Sequence, residues 1–146
     1  MNLSETQRER VSELADDVRT HVESIEQDVP DEWFVVGGSV RDTLLGNEPK
    51  DVDFVVTGES ESSMTELGFE KIDASSFPVF HDSAGEEWAL ARTESKSGYG
   101  YDGFDVETDN VSLLSDLKRR DLSINAQALD CRLGTNWVRG CSYKDA

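Results

Sequence analysis

The segment Val35–Val56, VVGGSVRDTLLGNEPKDVDFVV, constrains this chain more than any other. Trp33-Phe34-Val35-Val36 is an uninterrupted apolar run that predicts a buried strand. Ser39–Leu45 predicts a short helix, which Gly46 and Pro49 bring to an end. A second strand is predicted over Asp51–Val56. At a strand–Gly–Gly–helix turn, backbone N–H groups can come close to an anion. Glycine has no Cβ to hold the anion off, and the first helical turn has unsatisfied donors. In an extended strand residues i and i+2 share a face, so Asp51 and Asp53 point the same way. Two adjacent carboxylates repel unless a cation lies between them, and hard divalent cations take oxygen ligands. Gly37 and Gly38 therefore read as a phosphate cradle, facing a metal site at Asp51 and Asp53. Alone, the glycines suit an ordinary turn and the aspartates a solvated strand edge. The conjunction at this spacing is far more specific than either part.

Three ordered blocks carry a family resemblance. GGSVRDTLLG followed by KDVDFVV resembles the signature of the class II CCA-adding enzymes and bacterial poly(A) polymerases, within the DNA polymerase beta-like nucleotidyltransferase superfamily. Phe77–Phe104, FPVFHDSAGEEWALARTESKSGYGYDGF, is similar to the segment that follows the Asp-x-Asp strand in the bacterial tRNA nucleotidyltransferases. Leu113–Asp130, LLSDLKRRDLSINAQALD, looks like the family motif that helps bind the ribonucleotide. The resemblance implies an α/β palm-like nucleotidyltransferase head, a mixed sheet with flanking helices. It implies transfer of a nucleotide from an NTP such as ATP or CTP to an RNA 3′ end, that of tRNA above all.

That chemistry joins a 3′-hydroxyl to an α-phosphorus and releases pyrophosphate, which calls for metal ions. Asp51 and Asp53 are the expected ligands, with Mg²⁺ as the ion. Glu87, in EEWALAR, stands where similar family segments place an acid and is the candidate third carboxylate, with a solvated surface acid as its ordinary alternative in so acidic a chain; Glu86 is expected on the opposite face. By resemblance Gly38 and Arg41 match positions that contact the triphosphate, and Gly37 and Ser39 complete that turn. Arg41 has a salt bridge to Asp42 or Asp51 as its ordinary alternative. Lys118-Arg119-Arg120 is a run of three bases that by itself suits a helix C-terminus. The RRD-x-x-x-N arrangement, Arg119 to Asn125, resembles the family motif and favours nucleotide binding by Arg120 over a helix cap, with Asp121 fixing Arg120 or accepting from a ribose hydroxyl. Arg92 is a further phosphate candidate. His21 and His81 show no spacing that suggests catalysis or metal.

The charge balance sits oddly with RNA. The 146 residues carry 31 acids against 14 Lys and Arg, a formal net charge of −17, with five lysines. Such a chain repels RNA in dilute buffer. Either the substrate is not RNA, or the protein works in high salt, where screening shrinks to a few ångströms. The acid excess is spread over both residues 1–32 and residues 33–146. That pattern favours a halophilic setting over a dedicated acidic tail. Cys131 and Cys141 are too few for a disulfide framework or zinc site. The sequence has no run long enough to span a membrane and no apolar N-terminal leader, so a cytoplasmic protein with no membrane partner is expected.

Residues 4–27 predict an amphipathic helix, with Ser4 and Gln7 as a capping box and Val11, Leu14, Val18, Val22 and Ile25 on one face. This gives an N-terminal helical extension over 1–32 and a head domain over 33–146. Further strands are expected over 69–72, 77–81 and 87–92, helices over 64–67, 111–120 and 123–126, and a mobile loop over 93–103. No counterpart of the family's neck, body and tail is expected within these residues. Three readings follow: a minimal or viral nucleotidyltransferase for tRNA 3′-end synthesis or repair, a nucleotide-binding subunit completed by a partner chain or homo-oligomer, or a non-catalytic remnant.

Overall fold

The computed structural model describes residues 3–72, 78–96, 104–108, 111–120, 127–132 and 136–140. Helix α1 spans Glu5–Ser24, and its N-terminus carries the expected reciprocal Ser4–Gln7 capping box. It stops three residues short of the expected end, because Ile25 adopts an extended conformation and its N–H closes on the His21 carbonyl. Strand β1 is Trp33–Val36, and α2 is Gly38–Leu45, ended by Gly46 in the left-handed region at φ 83°. Strand β2 is Asp53–Val56, two residues shorter than expected. Helix α3 is Glu61–Glu66, starting earlier than expected because Ser60 and Ser63 form a capping box.

Strands β3 (Glu70–Lys71), β4 (Val79–His81) and β5 (Glu87–Leu90) follow, with Gly85 turning the chain between the last two at φ 89°. Thr93–Lys96 is strand β6, paired antiparallel with β7 (Phe104–Glu107). This corrects the expectation of a loop from residue 93; residues 97–103 lie outside the described residues. This hairpin forms its own two-stranded sheet. Helix α4 is Leu113–Lys118, capped by Ser112, and β8 (Gln127–Asp130) and β9 (Trp137–Gly140) are the last described strands. The helix expected over 123–126 lies outside the described residues.

The main sheet has seven strands in the order β3-β4-β5-β2-β1-β8-β9. It is mixed: β2 and β5 run parallel, and the other neighbours run antiparallel. Alternation along the strands builds two cores. Trp33, Val35, Phe54, Val56, Phe80, Trp88, Leu90 and Leu129 face α1, which contributes Val11, Leu14, Ala15 and Val18. Phe54 stacks on Trp88 at 4.1 Å between ring centroids, and Trp33 and Phe69 meet Trp88 edge-on. Aromatic pairs of this kind add about 0.5–1.5 kcal/mol each beyond the area they bury. On the other face Phe34, Val36, Val55 and Ala128 pack against Val111 and Leu117 from the α4 region. The N-terminal helix is thus the lid of the main core, the role its apolar face predicts.

Candidate active site

The site forms where β1 ends and β2 and β5 begin. Antiparallel pairing sets Val36 opposite Asp53, and parallel pairing sets Asp53 opposite Glu87. Cross-strand partners share a face, so Glu87 stands beside Asp53 on the face away from α1. Asp51 precedes the ladder. The alternation still reaches it: Val52 packs with Phe54 and Val56 in the α1 core, which leaves Asp51 and Asp53 on the opposite side. The three acidic candidates therefore lie on one face of the sheet. Glu86 lines a small cavity on the α1 side with Asp17, Val18, His21, Val52 and Phe54.

This arrangement has an electrostatic signature. Burial of its carboxyl raises the pKa of Asp53, and the charges of Glu87, Asp51 and, more weakly, Glu86 raise it further; Arg120 pulls it down. Among the described residues no three His, Cys, Asp or Glu side chains are gathered into a ready-made metal cage. Mg²⁺ does not need one, because it keeps several waters and binds through one or two carboxylates plus substrate phosphates. The donor set fits a hard divalent cation: all oxygen, mutually repelling, and partly desolvated.

Beside these acids the double glycine divides its work. Gly37 takes φ 78° and ψ −143°, a conformation that L side chains rarely adopt, and a Cβ there would lie 3.8 Å from Asp53 Oδ2. Helices α1, α3 and α4 each begin with a serine whose hydroxyl caps a backbone N–H, but α2 begins at Gly37 with no side-chain cap. Its first-turn amides keep donors to offer an anion. Ser39 is buried, and its hydroxyl turns back to the Val36 carbonyl at 3.5 Å, so only its backbone faces that role. Arg41 lies beside Gly38, where an added Cβ would sit 3.1 Å from Arg41 Nη2. Its Nε donates to Asp42 Oδ1 at 3.1 Å, one of the two salt bridges weighed for it.

Arg119 and Arg120 close α4 and both bond to Asp116, a fully buried carboxylate that sequence reasoning missed. In the sequence Asp116 is one of many acids, and nothing marks it as the buried one. Asp121 lies outside the described residues. His81 is opposite Glu87 across β4 and β5, with Nε2 3.9 Å from Glu87 Oε1, so it extends the row Asp53–Glu87 by one strand. His21 donates to Asp82 Oδ2 at 2.8 Å and so ties α1 to the β4–β5 turn. Cys131 is buried and its thiol is pushed up to about 11, chiefly by desolvation, which makes it unreactive.

The profile of the poly A polymerase head domain matches residues 33–141. The chain belongs to that family. A CCA-adding enzyme of Francisella tularensis subsp. tularensis is 52% identical over 100 residues, which cover 67% of this chain and 28% of that protein. The CCA-adding enzyme of Marinobacter nauticus is 55% identical over 97 residues, 65% of this chain and 26% of that protein. The multifunctional CCA protein of Ectopseudomonas mendocina is 54% identical over 99 residues, 66% and 24%. The chain thus spans about a quarter of the length of the curated relatives it matches. Among solved structures, an apo form of a CCA-adding enzyme superposes with a TM-score of 0.53 at 25% identity, over 90% of this chain and 33% of that one. An apo tRNA-processing enzyme gives 0.51 at 27% identity, over 89% and 32%. The head-family match begins at Trp33, the first residue of β1, so α1 packs on the head's core from outside the matched segment. Among the described residues no helix is long and apolar enough to cross a membrane.

Proposed function

We propose that this chain is the catalytic head of a nucleotidyltransferase that adds nucleotides from NTPs to an RNA 3′ end, with tRNA as the acceptor. The observation that carries the reading is the placement of Asp53 and Glu87 side by side on parallel strands, next to the uncapped N-terminus of α2. The relatives called CCA-adding enzymes supply the acceptor. Asp51, Asp53 and Glu87 would hold Mg²⁺. A divalent ion there supplies activation of the 3′-hydroxyl and neutralisation of the leaving pyrophosphate. The chain's own groups do the rest. The amides of Gly38 and Ser39, in the turn opened by Gly37, donate to the triphosphate oxygens at the helix N-terminus. Arg41 and Arg120 bring guanidinium donors to its oxygens, and Asp121 orients Arg120 or the ribose.

Residues 33–146 are proposed as the head and residues 1–32 as the helical extension. The choice among nucleotides and the grip on the acceptor would come from further polypeptide, on the same chain, a partner chain or a second copy. The span of about a quarter of the relatives' length supports that division of labour. The acid excess is proposed as adaptation to high salt, in a cytoplasmic setting. The test is to incubate the protein in molar KCl with Mg²⁺, each labelled NTP in turn and a tRNA lacking its 3′ end. Extension of the tRNA supports the reading. NTP binding without extension leaves a nucleotide-binding subunit, and the absence of both extension and NTP binding sinks the reading.

A further inference from the structure

Asp116 sits on α4 with its side chain wholly buried. Its Oδ1 accepts from the backbone N–H of Arg92 at 3.0 Å and from Arg119 Nε at 3.3 Å, and its Oδ2 accepts from Arg120 Nη2 at 3.1 Å. A buried carboxylate is costly to keep unless it is paired and hydrogen-bonded, and an apolar residue of similar size would often serve stability as well. What an apolar residue would not do is aim two guanidiniums. A free arginine samples many rotamers, and a ligand that immobilises it gives up affinity to do so. Asp116 removes much of that freedom in advance, and Arg119 and Arg120 are each mostly buried against it.

The guanidinium of Arg120 has five N–H donors and spends one on Asp116. Its Nε is buried and bonded to nothing among the described residues. The group is thus held without being used up, and its charge is felt at Asp53. The bond to Arg92 adds a second connection. Arg92 lies between the end of β5 and the start of β6, so Asp116 joins α4 to the joint between the seven-stranded sheet and the β6–β7 hairpin.

We propose that Asp116 is a positioning residue that presets Arg119 and Arg120 for the triphosphate and ties that pair to the end of β5. The inference rests on the reading of Arg120 as a nucleotide-binding residue. It is tested by calorimetric titration of ATP with Mg²⁺ in molar KCl into the unaltered protein, D116N, R120A, R119A/R120A and the triple variant. D116N should weaken ATP binding about tenfold, within the range of coupled neighbours, and should raise KM for the NTP more than it lowers kcat. In the R119A/R120A background D116N should add nothing, because there is no pair left to position. An unchanged affinity in R120A overturns the underlying reading. Weakened binding in R120A with unchanged binding in D116N overturns this inference alone, as does an undiminished D116N effect in the background lacking both arginines. Where D116N does not fold, hydrogen exchange at the Arg92 amide of the unaltered protein decides. ATP should slow that exchange, and an unchanged rate overturns the proposal.

Discussion

Asp53 opens β2 directly opposite Glu87, the first residue of the parallel strand β5. The pairing places two acids on one face at the strand ends, in the middle of the sheet, where β1 runs into the glycine turn. Their repulsion, added to partial burial, raises the pKa of Asp53. A raised carboxylate pKa means that the folded state binds the proton more tightly than the unfolded chain. Ionised Asp53 therefore costs stability, and the cost grows as pH rises from the ordinary value of 3.8 through the raised one.

Asp53→Asn should accordingly hold or raise the melting temperature of the metal-free protein at neutral pH. The same change should lower nucleotide transfer at least about 100-fold, beyond the 10–100-fold typical of losing an outer-shell partner of a metal. Thermal melts and single-turnover extension assays read the two effects separately. A variant that melts lower and keeps its activity would remove Asp53 from the site.

The adjacent glycines should respond differently to alanine. At Gly37 the strain is in the backbone, so Gly37→Ala should cost about 1–3 kcal/mol of stability. At Gly38, already the first helical residue, alanine is a better helix former. Its new methyl would instead press on Arg41 Nη2. Gly38→Ala should keep or improve stability while weakening NTP binding. Denaturant melts paired with NTP titrations check this; equal stability losses at the two positions would contradict it.

Asp82 anchors α1 to the β4–β5 turn. Burial by itself would raise its pKa, but hydrogen bonds from His21, the Trp88 indole and the amides of Glu86 and Ala84 outweigh burial and leave it lowered. The sign is opposite to that of Asp53. Its contribution is complete above the ordinary value of 3.8 and disappears as pH falls below that through the depressed folded value. His21→Ala should cost about 1.5–3 kcal/mol, the range for a hydrogen bond to a charged group. Asp82→Asn should flatten the acid limb of the stability profile. A pH series of urea midpoints measures both.

A net charge of −17 predicts a stability that depends on salt. Carboxylates crowded on one small surface repel in dilute buffer, and molar KCl shortens the Debye length to about 3 Å. The melting temperature should climb steeply between about 0.1 and 2 M KCl. A flat profile over that range would return the acid excess to the question of whether the partner is RNA at all.

Much of this protein is local and was therefore legible in the residues. Trp33–Val36 is apolar throughout because the strand is buried on both faces. The face of α1 repeats every three to four residues because one side of the helix covers the sheet. Gly37, Gly38 and Gly46 stand where the backbone turns. Other features arise between segments distant in the chain, and composition does not encode them. The ladder that sets Glu87 beside Asp53, the insertion of β8 next to β1, and the burial of Asp116 under two arginines each depend on which strands and helices meet. Among 31 acids, Asp53, Glu87 and Asp116 are set apart by neighbours that the packed sheet supplies, because an isolated carboxylate has the same chemistry wherever it lies along the chain.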